Sequence, residues 1–209
     1  MRAITWWQRV FTSKFQDWVR AQARKLVPLL RVFGLTPNML TMIGLVITAA
    51  SAVLIAAGRF VEGGIVLLLA ALFDILDGAV ARVTGKVYRY GAFLDSTTDR
   101  YAEGFTYIAL LYYYVSTGHR TVEPVLVIAA LNGSLLVSYV RARAQSLGFV
   151  CDGGLLARPE RVVLTVIGLL FSSQLLLPVL WILAVLTNLT AVQRIWFVWR
   201  QSRQTAPAD

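Results

Sequence analysis

A single cysteine, Cys151, and a single histidine, His119, stand in a chain of 209 residues. One thiol excludes a disulfide within the chain and a cage of thiolate metal ligands. His119 sits beside Arg120 between two apolar runs, which suits a solvated loop residue better than a catalyst. Charge is scarce as well. Asp, Glu, Lys and Arg make up 15% of the residues, where a soluble domain carries roughly a quarter. Internal repeats, low-complexity segments and long linkers are missing too, so nothing argues for more than one compact domain.

Apolar residues fill the space, at 57% of the total. Six runs, near 37–57, 61–82, 91–117, 122–146, 161–177 and 179–198, are each about long enough, at roughly 20 residues, to cross hydrocarbon as a helix. The last two meet around Leu177 and Pro178. The expected fold is an all-α membrane protein with six transmembrane helices. They form one domain over 35–200, between a juxtamembrane segment over 1–34 and a cytoplasmic tail over 201–209.

Lys and Arg total 20 against 11 acids, a formal charge of +9. Under the positive-inside rule they should collect on alternate connections. The N-terminal segment holds Arg2, Arg9, Lys14, Arg20, Arg24, Lys25 and Arg31. Arg82, Lys86 and Arg89 follow the second run, Arg141, Arg143, Arg158 and Arg161 the fourth, and Arg194, Arg200 and Arg203 close the chain. The opposite connections hold only Arg59 and Arg120. Both termini are therefore expected in the cytoplasm. Attraction to anionic lipid, about 1 kcal/mol per basic residue near the surface, accounts for the excess charge, and no nucleic-acid motif accompanies it.

The opening segment TWWQRVFTSKFQDWVRAQARKLV lacks the pattern of a removable secretion signal. Trp6, Trp7, Phe11, Phe15, Trp18 and Val19 fall on one face of a helix among basic and polar residues. An amphipathic helix lying in the membrane interface is expected, in preference to a soluble cap on the bundle.

Against this background, FDILDGAVARVTGKVYRYGAFLDSTTD (residues 73–99) carries four aspartates: Asp74, Asp77, Asp95 and Asp99. With the second span ending near Arg82, Asp74 lies eight residues deeper, roughly 12 Å at 1.5 Å per residue. The third span enters from the same side, so Asp95 and Asp99 reach comparable depth. Spacings of three and four put each pair on one helix face, and consecutive antiparallel helices can turn the pairs towards each other. Ionised Asp costs about 2.5–3.5 kcal/mol within a span, so four cost on the order of 10 kcal/mol before their repulsion. Arg82 and Arg100 lie at the margins. A divalent cation is the better counter-charge, since carboxylate oxygens are hard ligands for Mg²⁺, Mn²⁺ or Ca²⁺. Four acids suffice for two such ions, an arrangement that serves displacement at phosphorus. Helix capping explains Asp95 at most, because Asp74 and Asp77 are too far inside the span. Gly78 and Ala81 leave an open strip beside the acids, where Arg82 could hold a diphosphate.

The string Asp74-x-x-Asp77-Gly78-x-x-Ala81-Arg82, eight residues, then Gly91-x-x-x-Asp95-x-x-x-Asp99, resembles the full signature of the CDP-alcohol phosphatidyltransferases. The six-run layout and LTPNMLT at 35–41 are also similar to that family. The resemblance implies transfer of a phosphatidyl or related lipid-phosphate group from a CDP-activated lipid (CDP-diacylglycerol or an ether-lipid analogue) to an alcohol, with release of CMP. It implies two divalent cations, Mg²⁺ or Mn²⁺, on Asp74, Asp77, Asp95 and Asp99, with Asp99 also the general base. Gly78, Ala81, Arg82 and Gly91 would line the CDP-lipid site, and Asn38 and Thr41 would add polar contacts. A homodimer in a prokaryotic plasma (inner) membrane, its active site on the cytoplasmic side, is implied as well.

The acceptor must be read from the second basic cluster. Arg141 and Arg143 close the fourth run, while Arg158 and Arg161 open the fifth, with Pro159 suited to a first helical turn. Forked guanidinium donors match a phosphate. YVRARA-x-x-LG and the RPER turn resemble the branch that makes phosphatidylinositol phosphate or its archaeal-lipid equivalent, although Ala157 stands where that branch tends to carry Glu. The expected acceptor is inositol phosphate, with glycerol 3-phosphate the rival. Positive-inside topology alone is the bland reading of these arginines. A divalent-cation transporter would also place acids in a membrane, but nearer its midplane. A prenyl-chain enzyme would space its aspartates differently.

Overall fold

The computed structural model describes residues 36–84, 88–118, 121–151 and 153–205, excepting the side chains of residues 77, 79, 81–84, 204 and 205. The expected amphipathic helix over 1–34 and the loop residue His119 lie outside the described residues. Six α-helices and no strand occur among the described residues: α1 (Pro37–Ala56), α2 (Phe60–Thr84), α3 (Arg89–Ser116), α4 (Val122–Ser146), α5 (Arg158–Leu170) and α6 (Ser172–Thr205). The all-α expectation holds, and the first four helices fall within a few residues of the first four apolar runs.

Among the described residues, three helices are long and apolar enough to cross a membrane: Pro37–Ala56, Val122–Ser146 and Ser172–Arg203. α5 has 13 residues, about 20 Å, which is shorter than a hydrocarbon core of about 30 Å. The expected break at Leu177 and Pro178 is corrected. α5 ends at Leu170, Phe171 leaves helical geometry (φ −110°, ψ 43°), and Pro178 lies inside α6. Phe171 still accepts bonds from the N–H groups of Gln174 and Leu175, at 3.0 and 2.8 Å, and so starts the next helix at once. A proline in an apolar helix is tolerated where neighbouring groups take up the freed carbonyl. α6 continues to Thr205, into the expected tail. Its 34 residues span about 51 Å.

Among the described residues, the chain up to Ile47 and Leu69–Asp99 form one compact unit, and Thr48–Leu68 with the chain from Arg100 form a second. In the first, α1 begins under local rules. The Thr36 hydroxyl accepts from the Met39 N–H at 3.3 Å, and Pro37 takes the first helical position, where its missing N–H costs nothing. Gly44 lets α1 approach Ala70 and Phe73 of α2, both 3.8 Å from where its Cβ would stand.

In the second unit the apolar core gathers Ile55, Tyr107, Leu110, Val127, Ala130, Leu169, Leu180 and Leu183. α4 and α6 pack closely at Gly133, where a Cβ would meet Thr187 and Asn188. Asn188 donates to Ala129 O at 3.0 Å across that contact and to Ala184 O at 2.8 Å within α6. Small residues and interhelical amide bonds are what helices use to associate where burial alone gives little drive. Ser51 does the same between α1 and α2, donating to Gly63 O at 2.7 Å. At the end of α4, Gly148 (φ 82°) bonds Gln145 O at 3.1 Å while Phe149 N reaches Ala144 O at 3.0 Å. This left-handed C-terminal cap turns the chain into the connection 147–157.

Candidate active site

α2 and α3 bring three of the four aspartates together in the first unit. One carboxylate oxygen from each of Asp74, Asp95 and Asp99 lies within 4.8 Å of the other two. Asp95 and Asp99 share a face of α3 at a spacing of four, and Asp74 comes from α2. Asp99 is buried, at 8% exposure. Three ionised carboxylates at that separation repel by roughly 3–4 kcal/mol per pair at an effective dielectric constant near 20. The donor set fits a hard cation: oxygens around Mg²⁺ at about 2.1 Å, or around Ca²⁺ at about 2.4 Å, are separated by at most twice those radii. The side chains of Asp77, Ala81 and Arg82 lie outside the described residues, so the expectations placed on them stay expectations.

Elsewhere in this unit Asn38 Oδ1 is 3.1 Å from where a Gly91 Cβ would stand. The start of α1 thus meets the start of α3 at two of the positions expected to serve the CDP-lipid. Thr41 is buried and donates its hydroxyl to Pro37 O at 3.2 Å. Gly78 lies on α2, one residue past Asp77.

The four arginines expected to hold the acceptor lie in the second unit and divide into different environments. Arg141 and Arg143 are exposed near the end of α4, and Arg158 is half-buried at the start of α5. Arg161 departs from the expectation. It is 1% exposed and bound to Glu103 of α3, with Nε donating to Oε1 at 2.8 Å and Nη2 at 2.7 Å from the same oxygen. Burial removes water from both charges, and the opposite charge of each compensates the other, although Arg161 Nη2 and Glu103 Oε2 make no hydrogen bond among the described residues. Tyr107 and Ser134 meet nearby, hydroxyl to hydroxyl at 3.5 Å, and Thr165 donates to Arg161 O at 2.9 Å. Glu103 was not singled out from sequence. The signal was available, since Asp95, Asp99 and Glu103 continue one row at intervals of four along α3.

Arg194 was read only as a topology charge, yet it is 3% exposed. Its Nε donates to Gly153 O at 2.9 Å and its Nη1 to Val137 O at 2.6 Å.

Comparison with known proteins places this arrangement. The family profile described as CDP-alcohol phosphatidyltransferase matches residues 34–196. A phosphatidylinositol phosphate synthase of Mycobacteroides abscessus is 38% identical over 171 residues, 78% of this chain and 76% of the relative. An archaetidylinositol phosphate synthase of Methanothermobacter thermautotrophicus is 33% identical over 183 residues, 85% of this chain and 90% of the relative. The solved phosphatidylinositol phosphate synthase of Mycobacterium tuberculosis with CDP-DAG bound is similar at a TM-score of 0.78 and 35% identity, over 91% of this chain and 95% of that one. The same enzyme in complex with manganese and citrate also matches at 0.78 and 35% identity, over 91% and 90%. With the signature, the helical fold and both kinds of relative in agreement, this chain belongs to the CDP-alcohol phosphatidyltransferase family.

Proposed function

We propose that this enzyme transfers a phosphatidyl or related lipid-phosphate group from a CDP-activated lipid to inositol phosphate, releasing CMP, as a step in phospholipid synthesis. The observation that carries the reading is the convergence of Asp74, Asp95 and Asp99 within 4.8 Å, in a chain whose relatives are named for this reaction. Asp74, Asp77, Asp95 and Asp99 hold two divalent cations, Mg²⁺ or Mn²⁺. When bound, such ions neutralise the diphosphate and stabilise the departing nucleotide phosphate.

The chain's own residues do the rest. Asp99 accepts the proton of the acceptor hydroxyl. The freed oxygen attacks the lipid-side phosphorus, a new P–O bond forms, and the bond to the CMP oxygen breaks. Asn38, Thr41, Gly78, Ala81, Arg82 and Gly91 line the CDP-lipid site, where the glycines and alanine allow close approach. Arg141, Arg143 and Arg158 hold the acceptor phosphate, while Arg161, committed to Glu103, tethers α5. The helices lie in a prokaryotic plasma membrane with both termini and the active site on the cytoplasmic side, and the enzyme works as a homodimer.

The test is CMP release by purified protein given a CDP-lipid and Mg²⁺, across a panel of inositol phosphate, free inositol, glycerol 3-phosphate and serine. Ester-linked and ether-linked donors are compared in parallel. Turnover should require inositol phosphate. Preference for glycerol 3-phosphate would move the enzyme to the phosphatidylglycerol phosphate branch. Metal-dependent ion flux without CMP release would make it a transporter.

A further inference from the structure

The connection 147–157, between the two arginine pairs, is tied to α6 by side chains that take its backbone as partner. Gln201 makes a two-point contact with one residue: its Oε1 accepts from Val150 N at 3.1 Å, and its Nε2 donates to Val150 O at 2.6 Å. Thr190 accepts from Leu156 N at 3.2 Å, and Arg194 holds Gly153 O at 2.9 Å. The approach is close: a Cβ at Gly154, whose φ is 154°, would stand 2.8 Å from Thr190 Cγ2 and 3.2 Å from Arg194 Nε. Backbone groups in a connection of this kind would otherwise be left to water. Here they are satisfied by residues eleven positions apart along α6, three turns of one rigid rod.

We propose that Gln201 is a positioning residue for the acceptor site. By fixing Val150 on the extended end of α6, it sets how the end of α4, with Arg141 and Arg143, and the start of α5, with Arg158, present their guanidinium groups to an acceptor phosphate. Gln201 acts through the backbone of Val150, so its effect falls on acceptor affinity and spares the chemical step. This rests on the reading of those arginines as the phosphate clamp.

The chain carries its own reporter. Cys151 follows Val150 and is 2% exposed, so release of the connection should open its thiol to a maleimide. The experiment uses the full-length protein in detergent with CDP-diacylglycerol, Mg²⁺ and inositol phosphate. Gln201→Met keeps side-chain volume and removes both bonds. It should raise the acceptor KM about tenfold, the scale of two lost hydrogen bonds, with kcat and the CDP-lipid KM held within about twofold, and Cys151 should label faster. Gln201→Asn, which keeps the amide on a shorter stem, should fall between the two. Thr190→Val supplies a second release point should the Met variant not fold.

An unchanged acceptor KM in a variant whose Cys151 has become reactive would overturn the proposal, since the tether would then be structural only. Unchanged KM and unchanged labelling together would overturn it as well. A wild-type enzyme inactive with inositol phosphate fails at the earlier reading of the acceptor, and the variants are not needed to see it.

Discussion

Two charged centres lie among apolar helices, and they are built on opposite logic. In the first unit three like charges, Asp74, Asp95 and Asp99, converge within 4.8 Å. In the second, Glu103 meets the opposite charge of Arg161 at 2.7 Å, and both are buried. The pair is neutral as a unit, each charge compensated by the other. The cluster gathers carboxylates whose mutual repulsion folding alone would avoid, a donor set that suits a hard cation. Like charges brought together mark a place where something binds, whereas opposite charges brought together mark a place where helices are held.

The widest separation between the centres should come from substitution at Asp99. Asp99→Asn removes the proposed base and a ligand, so turnover should fall by at least about 10²-fold. Thermal unfolding in metal-free buffer should be unchanged or raised, because one repulsive charge has gone. Full activity in this variant would remove Asp99 from the chemistry. Chelation offers the same contrast without mutation: EDTA should abolish CMP release and excess Mg²⁺ restore it, with the Glu103–Arg161 region unaffected.

Breaking the pair should show the reverse pattern. Arg161→Ala leaves the Glu103 carboxylate buried without its partner, and should cost about 3–5 kcal/mol of stability. The double variant Glu103→Gln with Arg161→Met removes both charges and should recover most of that loss, as read by thermal unfolding in detergent. If Arg161→Ala were fully stable but had lost affinity for inositol phosphate, Arg161 would return to the acceptor clamp.

The sequence disclosed these centres unequally, for physical reasons. Regular spacing at three and four, inside runs too apolar to tolerate charge, made the aspartates visible. All-helical architecture followed from the apolar runs. Arg161 misled because an arginine opening a helix in a basic connection looks like every other topology charge. Only its depth and its partner, 58 residues earlier in the chain, distinguish it. Pro178 misled in the same way: proline beside leucine suggested a helix end, yet α6 runs through it, and the break falls at Phe171. The contacts of Gln201 with Val150 join positions 51 residues apart through backbone atoms, and backbone partners leave no trace in a sequence.

The smallest effect concerns packing within the second unit and asks whether its helices are held by contact as well as charge. Gly133 faces Thr187 and Asn188 with no room for a methyl group, and Asn188 spans the same contact to Ala129 O. Gly133→Ala should improve the helix propensity of α4 by up to about 1 kcal/mol, yet overpacking a close contact costs about 1–3 kcal/mol. The second term wins, so a net loss of one or two kcal/mol in thermal unfolding is expected. Because no charge moves, metal-dependent activity at low temperature should be retained. A stabilised Gly133→Ala protein would mean that α4 and α6 can separate slightly without penalty, leaving the buried ion pair as the principal fastening of that unit.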